Sequence, residues 1–279
     1  MSATFALTAE QRAAFDRGGV LRLPGFYPLA DIEEMAAALW SDLGRRFGAC
    51  RDQPETWKVV SPAQFQALKG SGAFKALGSP ELFDLADALL GKGTWDAPRV
   101  WGFPLVTFPT AAPTLTRPPW HLDIGGEALS PLPILRVFTF LEPAPANGGG
   151  TLMVAGSHLL AIDIERAHGT PVRSAYVRDR LKADHPYFAR LLSRRSEELR
   201  KLMEVEAEAG GHFVRLEEMT GAPGDVIVMH PAILHGTAHN ALGRPRMMLT
   251  EWIRRKVAAE AAAGAEAAKL PLTPAKAGA

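Results

Sequence analysis

Apolar residues recur at helical spacing through the first ninety or so positions. Ile32, Met35, Ala36, Leu39 and Leu43 share one side of a 3.6-residue repeat, which predicts an amphipathic helix. Three hydroxyl-led segments read as helix starts, because a Ser or Thr oxygen accepts from backbone N–H groups that the first turn leaves exposed. Thr8-Ala9-Glu10-Gln11 has capping-box spacing, and Ser61-Pro62-Ala63-Gln64 and Ser79-Pro80-Glu81 put proline at the first helical position. From about Thr94 the pattern changes to short β-rich runs punctuated by Pro and Gly, which suits an antiparallel sandwich or barrel. The clearest strands are Val100 to Phe108, Leu135 to Leu141, Thr151 to Val154, Asp225 to Met229 and Arg246 to Ile253. Asn147-Gly148-Gly149-Gly150 supplies a turn that tolerates positive φ.

Helical spacing returns from Asp184 to Glu208, carried by Phe188, Leu191, Leu192, Leu199 and Leu202. The expected organisation is therefore a single domain over residues 1–255, helical over 1–93 and β-rich over 94–255, with a helical insertion at about 156–215. That insertion is expected to close over a substrate pocket. Residues 256–279 form an Ala-rich tail, and no internal repeat is present.

Composition narrows the partners. Among 279 residues, 31 Lys and Arg balance 30 Asp and Glu, so no field gathers nucleic acid or anionic membrane non-specifically. The 47% hydrophobic content predicts a packed core. Cys50 is the only cysteine, which excludes an internal disulfide and a structural zinc site built on thiolates. No signal-peptide pattern and no run of ~18 apolar residues occurs, so the expectation is a cytoplasmic protein without a membrane partner.

The chemistry begins at His121-Leu122-Asp123, just after Pro118-Pro119-Trp120. On a strand, residues i and i+2 face one side roughly 7 Å apart, so an imidazole and a carboxylate can converge on one ion. Iron(II) sites that activate O₂ use two imidazoles and one carboxylate on one face and leave the other positions open. A further histidine is needed, and the run Gly224 to Thr237 offers two, His230 and His235, with Arg244 and Arg246 shortly after. 2-Oxoglutarate chelates iron through its 2-oxo acid end, and its far carboxylate needs a fixed cation. Arg246, helped by the Thr237 hydroxyl, fits that role. The plainer alternatives are a surface histidine beside a turn aspartate, and Arg246 as a solvated strand-edge cation.

With these residues in view, the sequence resembles the phytanoyl-CoA dioxygenase family of Fe(II)/2-oxoglutarate-dependent oxygenases. The resemblance runs from about Leu7 to Arg254. It is carried by Leu7-Thr8-Ala9-Glu10-Gln11 leading to Gly19 to Phe26, by Trp120-His121-Leu122-Asp123, and by Asn147 to Leu152 running to Gly156-Ser157-His158. The most specific match is His230-Pro231-Ala232-Ile233-Leu234-His235-Gly236-Thr237 with Asn240 and Arg246. It implies a double-stranded β-helix (jelly roll, cupin-like) with flanking helices, mainly β in class. It also implies iron ligands His121, Asp123 and His235, with Arg246 and Thr237 on 2-oxoglutarate; His230 and Arg244 are the rival ligand and fork.

The implied reaction uses Fe(II), 2-oxoglutarate and O₂ to hydroxylate, or otherwise oxidise, an unactivated C–H bond of a small-molecule substrate, releasing succinate and CO₂. The alternative on the same scaffold is a redox-inactive metal-binding or isomerase-type protein. Candidate substrate contacts are His158, Trp120 and Arg117. Leu122 stands where the family often has Gln, so that contact is not carried over, and Asp123 separates this chain from halogenating relatives that lose the carboxylate. No phosphate loop, dinucleotide glycine pattern, zinc-helix motif or nucleophile elbow is present.

Overall fold

The structure is a computed structural model that describes residues 5–110, 118–193 and 196–256. The tail beyond 256 and the candidate Arg117 lie outside the described residues. The chain opens with α1 (Ala9–Gly18), β1 (Val20–Leu23), α2 (Leu29–Phe47), α3 (Gln66–Gly70) and α4 (Pro80–Leu90). Next come β2 (Phe103–Thr107), β3 (Ile134–Phe140) and β4 (Thr151–Ala155), and then α5 (Ser157–His168), α6 (Ser174–Asp184), α7 (Pro186–Leu191) and α8 (Ser196–Met203). It closes with β5 (Glu206–Ala209), β6 (His212–Glu218), β7 (Val226–Met229), β8 (His235–Thr237) and β9 (Arg246–Arg254).

Two helix starts form as the capping chemistry dictates. Thr8 Oγ1 accepts from Gln11 N at 3.1 Å while Gln11 Oε1 accepts from Thr8 N at 2.9 Å, and Ser79 accepts from Leu82 N ahead of Pro80. Ser61-Pro62 starts no helix. Gln64 takes φ 65, outside the helical region, and α3 begins only after the fully buried Phe65.

The strands make two antiparallel sheets, a five-stranded one ordered β1-β7-β3-β9-β2 and a four-stranded one ordered β5-β6-β4-β8. Facing each other with helices outside, they form the jelly roll. The layering follows from period-2 alternation. Val106, Leu135, Val137, Val226, Val228, Met247, Leu249 and Ile253 point outward into a core shared with α1, α2 and α4. Their neighbours Phe138, Phe140, Ile227, Met229 and Met248 turn inward and meet Met153 and Ile233 between the sheets. On the far side Leu152, Val154, Val214 and Leu216 face outward onto Leu160, Val177, Leu181, Phe188 and Leu191. Both faces of the large sheet are thus covered, and every residue of β3 is buried.

Two expectations need correction. The N-terminal part is not all helical, because β1 pairs with β7 from Val20↔Met229 to Leu23↔Val226. The inserted helices stop at Met203. Glu206–Ala209 and His212–Glu218 form a hairpin across Gly210-Gly211, whose φ values of 55 and 78 suit only a turn, and pairing there overrides the helix-forming Glu and Ala. The helices α5 to α8 bury the outer face of the small sheet, with Val177, Leu181, Phe188 and Leu191 completely enclosed. No helix among the described residues is long and apolar enough to cross a membrane.

Candidate metal and co-substrate site

His121 and Asp123 lie on an extended segment that continues the small sheet beyond β8. His121 N donates to His235 O and His235 N to His121 O, both at 2.9 Å, and Asp123 N donates to Pro231 O at 2.9 Å. This pairing sets the two imidazoles side by side, with ring centroids 4.2 Å apart and planes tilted by 51°, and turns Asp123 to the same side. His121 Nε2 stands 3.8 Å from Asp123 Oδ1, and His235 Nε2 stands 3.6 Å from Asp123 Oδ2. One ligand atom from each residue falls within 4.8 Å of the others.

The tautomers follow from the backbone. His121 Nδ1 donates to Pro119 O at 2.7 Å and His235 Nδ1 to Ile233 O at 2.9 Å, since a carbonyl oxygen can only accept. Both Nε2 lone pairs are thereby left facing the carboxylate. Burial holds the His235 imidazolium down to about 4, so this ring is neutral near pH 7, as a metal ligand must be. Two neutral nitrogens and one carboxylate oxygen on one side, fixed through their outer nitrogens, fit a divalent iron.

His230, the rival, lies elsewhere. Its ring packs against His158 with centroids 4.9 Å apart, and its Nδ1 accepts from Ala232 N. His158 is buried beside Gly19, where an added Cβ would come within 2.5 Å of its Nδ1. Burial lowers His158 to about 4 and holds His230 well below the ordinary imidazole range, so both rings are neutral near pH 7. The geometry does not bring His158 to the His121–Asp123–His235 cluster. Trp120 is buried in the core beneath the small sheet.

The two candidate arginines also separate. Arg244 is exposed on the turn before β9, whereas Arg246 is 4% exposed and points between the sheets. Arg246 sits directly opposite Thr107 on β2, and its Nη2 donates to Thr107 Oγ1 at 2.6 Å. Its Nε has no partner and its Nη1 reaches only Met248 Sδ at 3.9 Å. Burial lowers its pKa to about 10, which still leaves it charged near neutral pH. Glu218 is the nearby anion, but its oxygens already accept from Asn147 N and Gly150 N in the glycine turn. Thr237 follows His235 by two positions on β8, on the same strand face, and is exposed. The hydroxyl touching Arg246 is that of Thr107, which only the β2–β9 register reveals.

Arg136 was not singled out by sequence, although a lone arginine within Ile134-Leu135-Arg136-Val137-Phe138 breaks an otherwise apolar strand. Its Nε stands 2.8 Å from Asp123 Oδ2, an ion pair poorly aligned for a hydrogen bond. The guanidinium lies over Trp252, its cross-strand partner, at 4.1 Å from the ring centroid.

Comparison with known proteins adds family and fold. The family model described as Phytanoyl-CoA dioxygenase (PhyH) matches residues 15–248. No curated protein sequence matches. Among solved structures, AviO1 from Streptomyces viridochromogenes Tue57 is 19% identical with a TM-score of 0.54, over 92% of this chain and 98% of that one. HygX from Streptomyces hygroscopicus, solved with nickel and 2-oxoglutarate bound, is 18% identical with a TM-score of 0.53, over 90% and 88%. The non-heme alpha-ketoglutarate-dependent epimerase SnoN from nogalamycin biosynthesis is 18% identical with a TM-score of 0.52, over 88% and 81%. At such identities the likeness speaks for the shared fold.

Proposed function

Because the chain belongs to the phytanoyl-CoA dioxygenase family, we propose that it is a non-haem Fe(II)- and 2-oxoglutarate-dependent oxygenase of a small-molecule substrate. His121, Asp123 and His235 hold the metal, and Arg246 takes the far carboxylate of 2-oxoglutarate. The observation that carries this reading is the state of Arg246, a fully buried cation with an orphaned Nε and, among the described residues, no carboxylate in contact. A buried, half-satisfied guanidinium is costly unless an anion completes it, and a dicarboxylate reaching from the three donor atoms supplies one.

Each residue has a definable task. Pro119 O and Ile233 O fix the two imidazole tautomers, so that Nε2 and not Nδ1 meets the metal. Thr107 holds the Arg246 fork in place, and Thr237, two positions past His235 on β8, is the second hydroxyl assigned to the co-substrate. Met153, Met229, Ile233 and Met248 make the space between the sheets apolar, which excludes water and strengthens the Arg246 contact. When bound, iron(II) with 2-oxoglutarate and O₂ supplies an oxidant able to attack an unactivated C–H bond, with release of succinate and CO₂. The reading takes residues 1–255 as one domain and the protein as cytoplasmic.

The purified chain is expected to bind one Fe(II) and, anaerobically, 2-oxoglutarate, and in air to form succinate slowly without substrate. Calorimetry of the Fe(II)-loaded protein that detects no 2-oxoglutarate binding would overturn the proposal. Because SnoN is described as an epimerase, an isomerase-type outcome is the second reading. Mass spectrometry of a turned-over substrate separates the two, as hydroxylation adds one oxygen atom and epimerisation leaves the mass unchanged.

A further inference from the structure

Resting on that reading of the metal site, we propose that Arg136 anchors an oxyanion of the substrate, a carboxylate or a phosphate, beside Asp123. Arg136 is buried in the middle of the large sheet and points between the sheets, yet its contacts with protein groups are few. Nε faces Asp123 at 2.8 Å, and the flat guanidinium rests on Trp252 at 4.1 Å and Phe138 at 4.9 Å. Among the described residues neither terminal nitrogen has a hydrogen-bond partner.

Asp123 is its only contacting anion among the described residues, and in the metal-loaded protein that carboxylate is a ligand whose charge is shared with the metal. Glu251, the other nearby carboxylate, is already taken by Lys69 at 3.0 Å and by Gly102 N at 2.7 Å. A buried arginine then faces the site with four terminal N–H donors in fork geometry and, among the described residues, no protein acceptor for them. Fork geometry matches an oxyanion.

A cleft adjoins the guanidinium's contacts. Asp123 and Trp252, the two residues the guanidinium touches on this side, line a cleft of about 330 Å³ together with Ile124, Glu127 and Arg254. That volume suits a small metabolite. Arg254 is exposed, also lies over Trp252 at 5.0 Å, and has no ion-pair partner among the described residues, so it adds positive potential at the mouth. Glu127, the one other acid of the lining, is turned onto Gly125 N at 2.8 Å. Trp252 offers the cleft an aromatic wall, and Arg136, although not itself part of the lining, touches both Trp252 and Asp123.

The test uses the Mn(II)-loaded protein saturated with 2-oxoglutarate, so that the Arg246 site is filled first. Benzoate, inorganic phosphate and neutral benzamide are titrated by calorimetry into wild type, Arg136→Gln and Arg136→Lys. Wild type is expected to bind benzoate or phosphate at least about tenfold more tightly than Arg136→Gln does, with Arg136→Lys between them and benzamide insensitive to the change. Whichever anion binds identifies the substrate group. Mn(II) affinity is expected to stay level or rise in Arg136→Gln, because a competing cation leaves Asp123. A tenfold fall in Mn(II) affinity would instead make Arg136 a positioning group for Asp123. A fall in 2-oxoglutarate affinity would assign it to the co-substrate. Either result overturns the proposal, as does wild type binding neither anion. A wild-type chain that takes up neither Mn(II) nor 2-oxoglutarate fails at the first step and refutes the underlying oxygenase reading instead.

Discussion

Replacing Arg246 by Met is expected to pull co-substrate affinity and protein stability in opposite directions. In the structure Arg246 is enclosed, donates one good hydrogen bond to Thr107, and leaves Nε unsatisfied. Lowering its pKa from 12.5 to about 10 means that burial disfavours the charged form by about 3 kcal/mol. The sign follows from linkage. A base whose folded pKa is depressed destabilises the fold at every pH below that folded value, so the whole cost is present near pH 7. Methionine removes this cost and loses the Thr107 hydrogen bond, worth about 1–1.5 kcal/mol. Without 2-oxoglutarate the variant should therefore be as stable as wild type, or more stable by about 1–2 kcal/mol. With 2-oxoglutarate it loses a buried charge-assisted pair worth ~2–5 kcal/mol, roughly thirty- to several-thousand-fold in affinity. Urea unfolding without ligand and anaerobic calorimetry of the Fe(II)-loaded protein read the two effects separately. Near-normal 2-oxoglutarate affinity would refute the assignment. A variant less stable by 2 kcal/mol or more would show that Arg246 is satisfied within the protein itself.

Three other perturbations test separate parts of the account. Asp123→Ala is expected to weaken Fe(II) binding by more than about 100-fold, since even the outer partners of a metal ligand are worth about 10–100-fold, and undiminished affinity in an iron titration would undo the ligand set. Stability should be flat above about pH 7 and fall as the pH drops from 6.5 toward 4, because buried His158 and His230 have depressed folded pKa values and the unfolded chain binds more protons in that window. His158→Gln should make that fall shallower by about 1.4 kcal/mol per pH unit, read as the difference between wild-type and variant urea midpoints at pH 7.5, 6 and 5. Gly156→Ala should destabilise by more than ~2 kcal/mol, because Gly156 has φ +85 and an added Cβ would lie 1.8 Å from Phe213 O; thermal unfolding within a degree of wild type would contradict this packing.

What could be read in advance depended on how local each signal was. Thr8 and Gln11, or Ser79 and Pro80, carry their caps within four residues, so those helix starts were legible. His121 with Asp123, and His235 within its β-run, were legible because strand alternation fixes i and i+2 without reference to the rest of the fold. The Gly210-Gly211 hairpin was missed because Glu206 to Glu208 has helix-forming composition, and only the partner strand β6 decides against it. Ser61-Pro62 misled because the buried Phe65, a tertiary feature, sets where α3 begins. Thr107 and Arg136 owe their place entirely to register, opposite Arg246 and Trp252.

Register is also what distinguishes Arg246 from its neighbours. On β9, Met247, Leu249 and Ile253 point out to the helices while Arg246, Met248, Thr250 and Trp252 point between the sheets. A slip of one residue would send Arg246 toward α2 and α4 and bring Met247 to the co-substrate position. Nothing polar at the site prevents that slip, since Arg246 has a single good hydrogen bond there. The outward residues do: burying the three apolar side chains is worth ~1.5–3 kcal/mol each, and that slip would put Met248, Thr250 and Arg254 in their places. Packing against the N-terminal helices therefore aims the arginine and holds Trp252 beneath Arg136, and the helices contribute to the site without touching it.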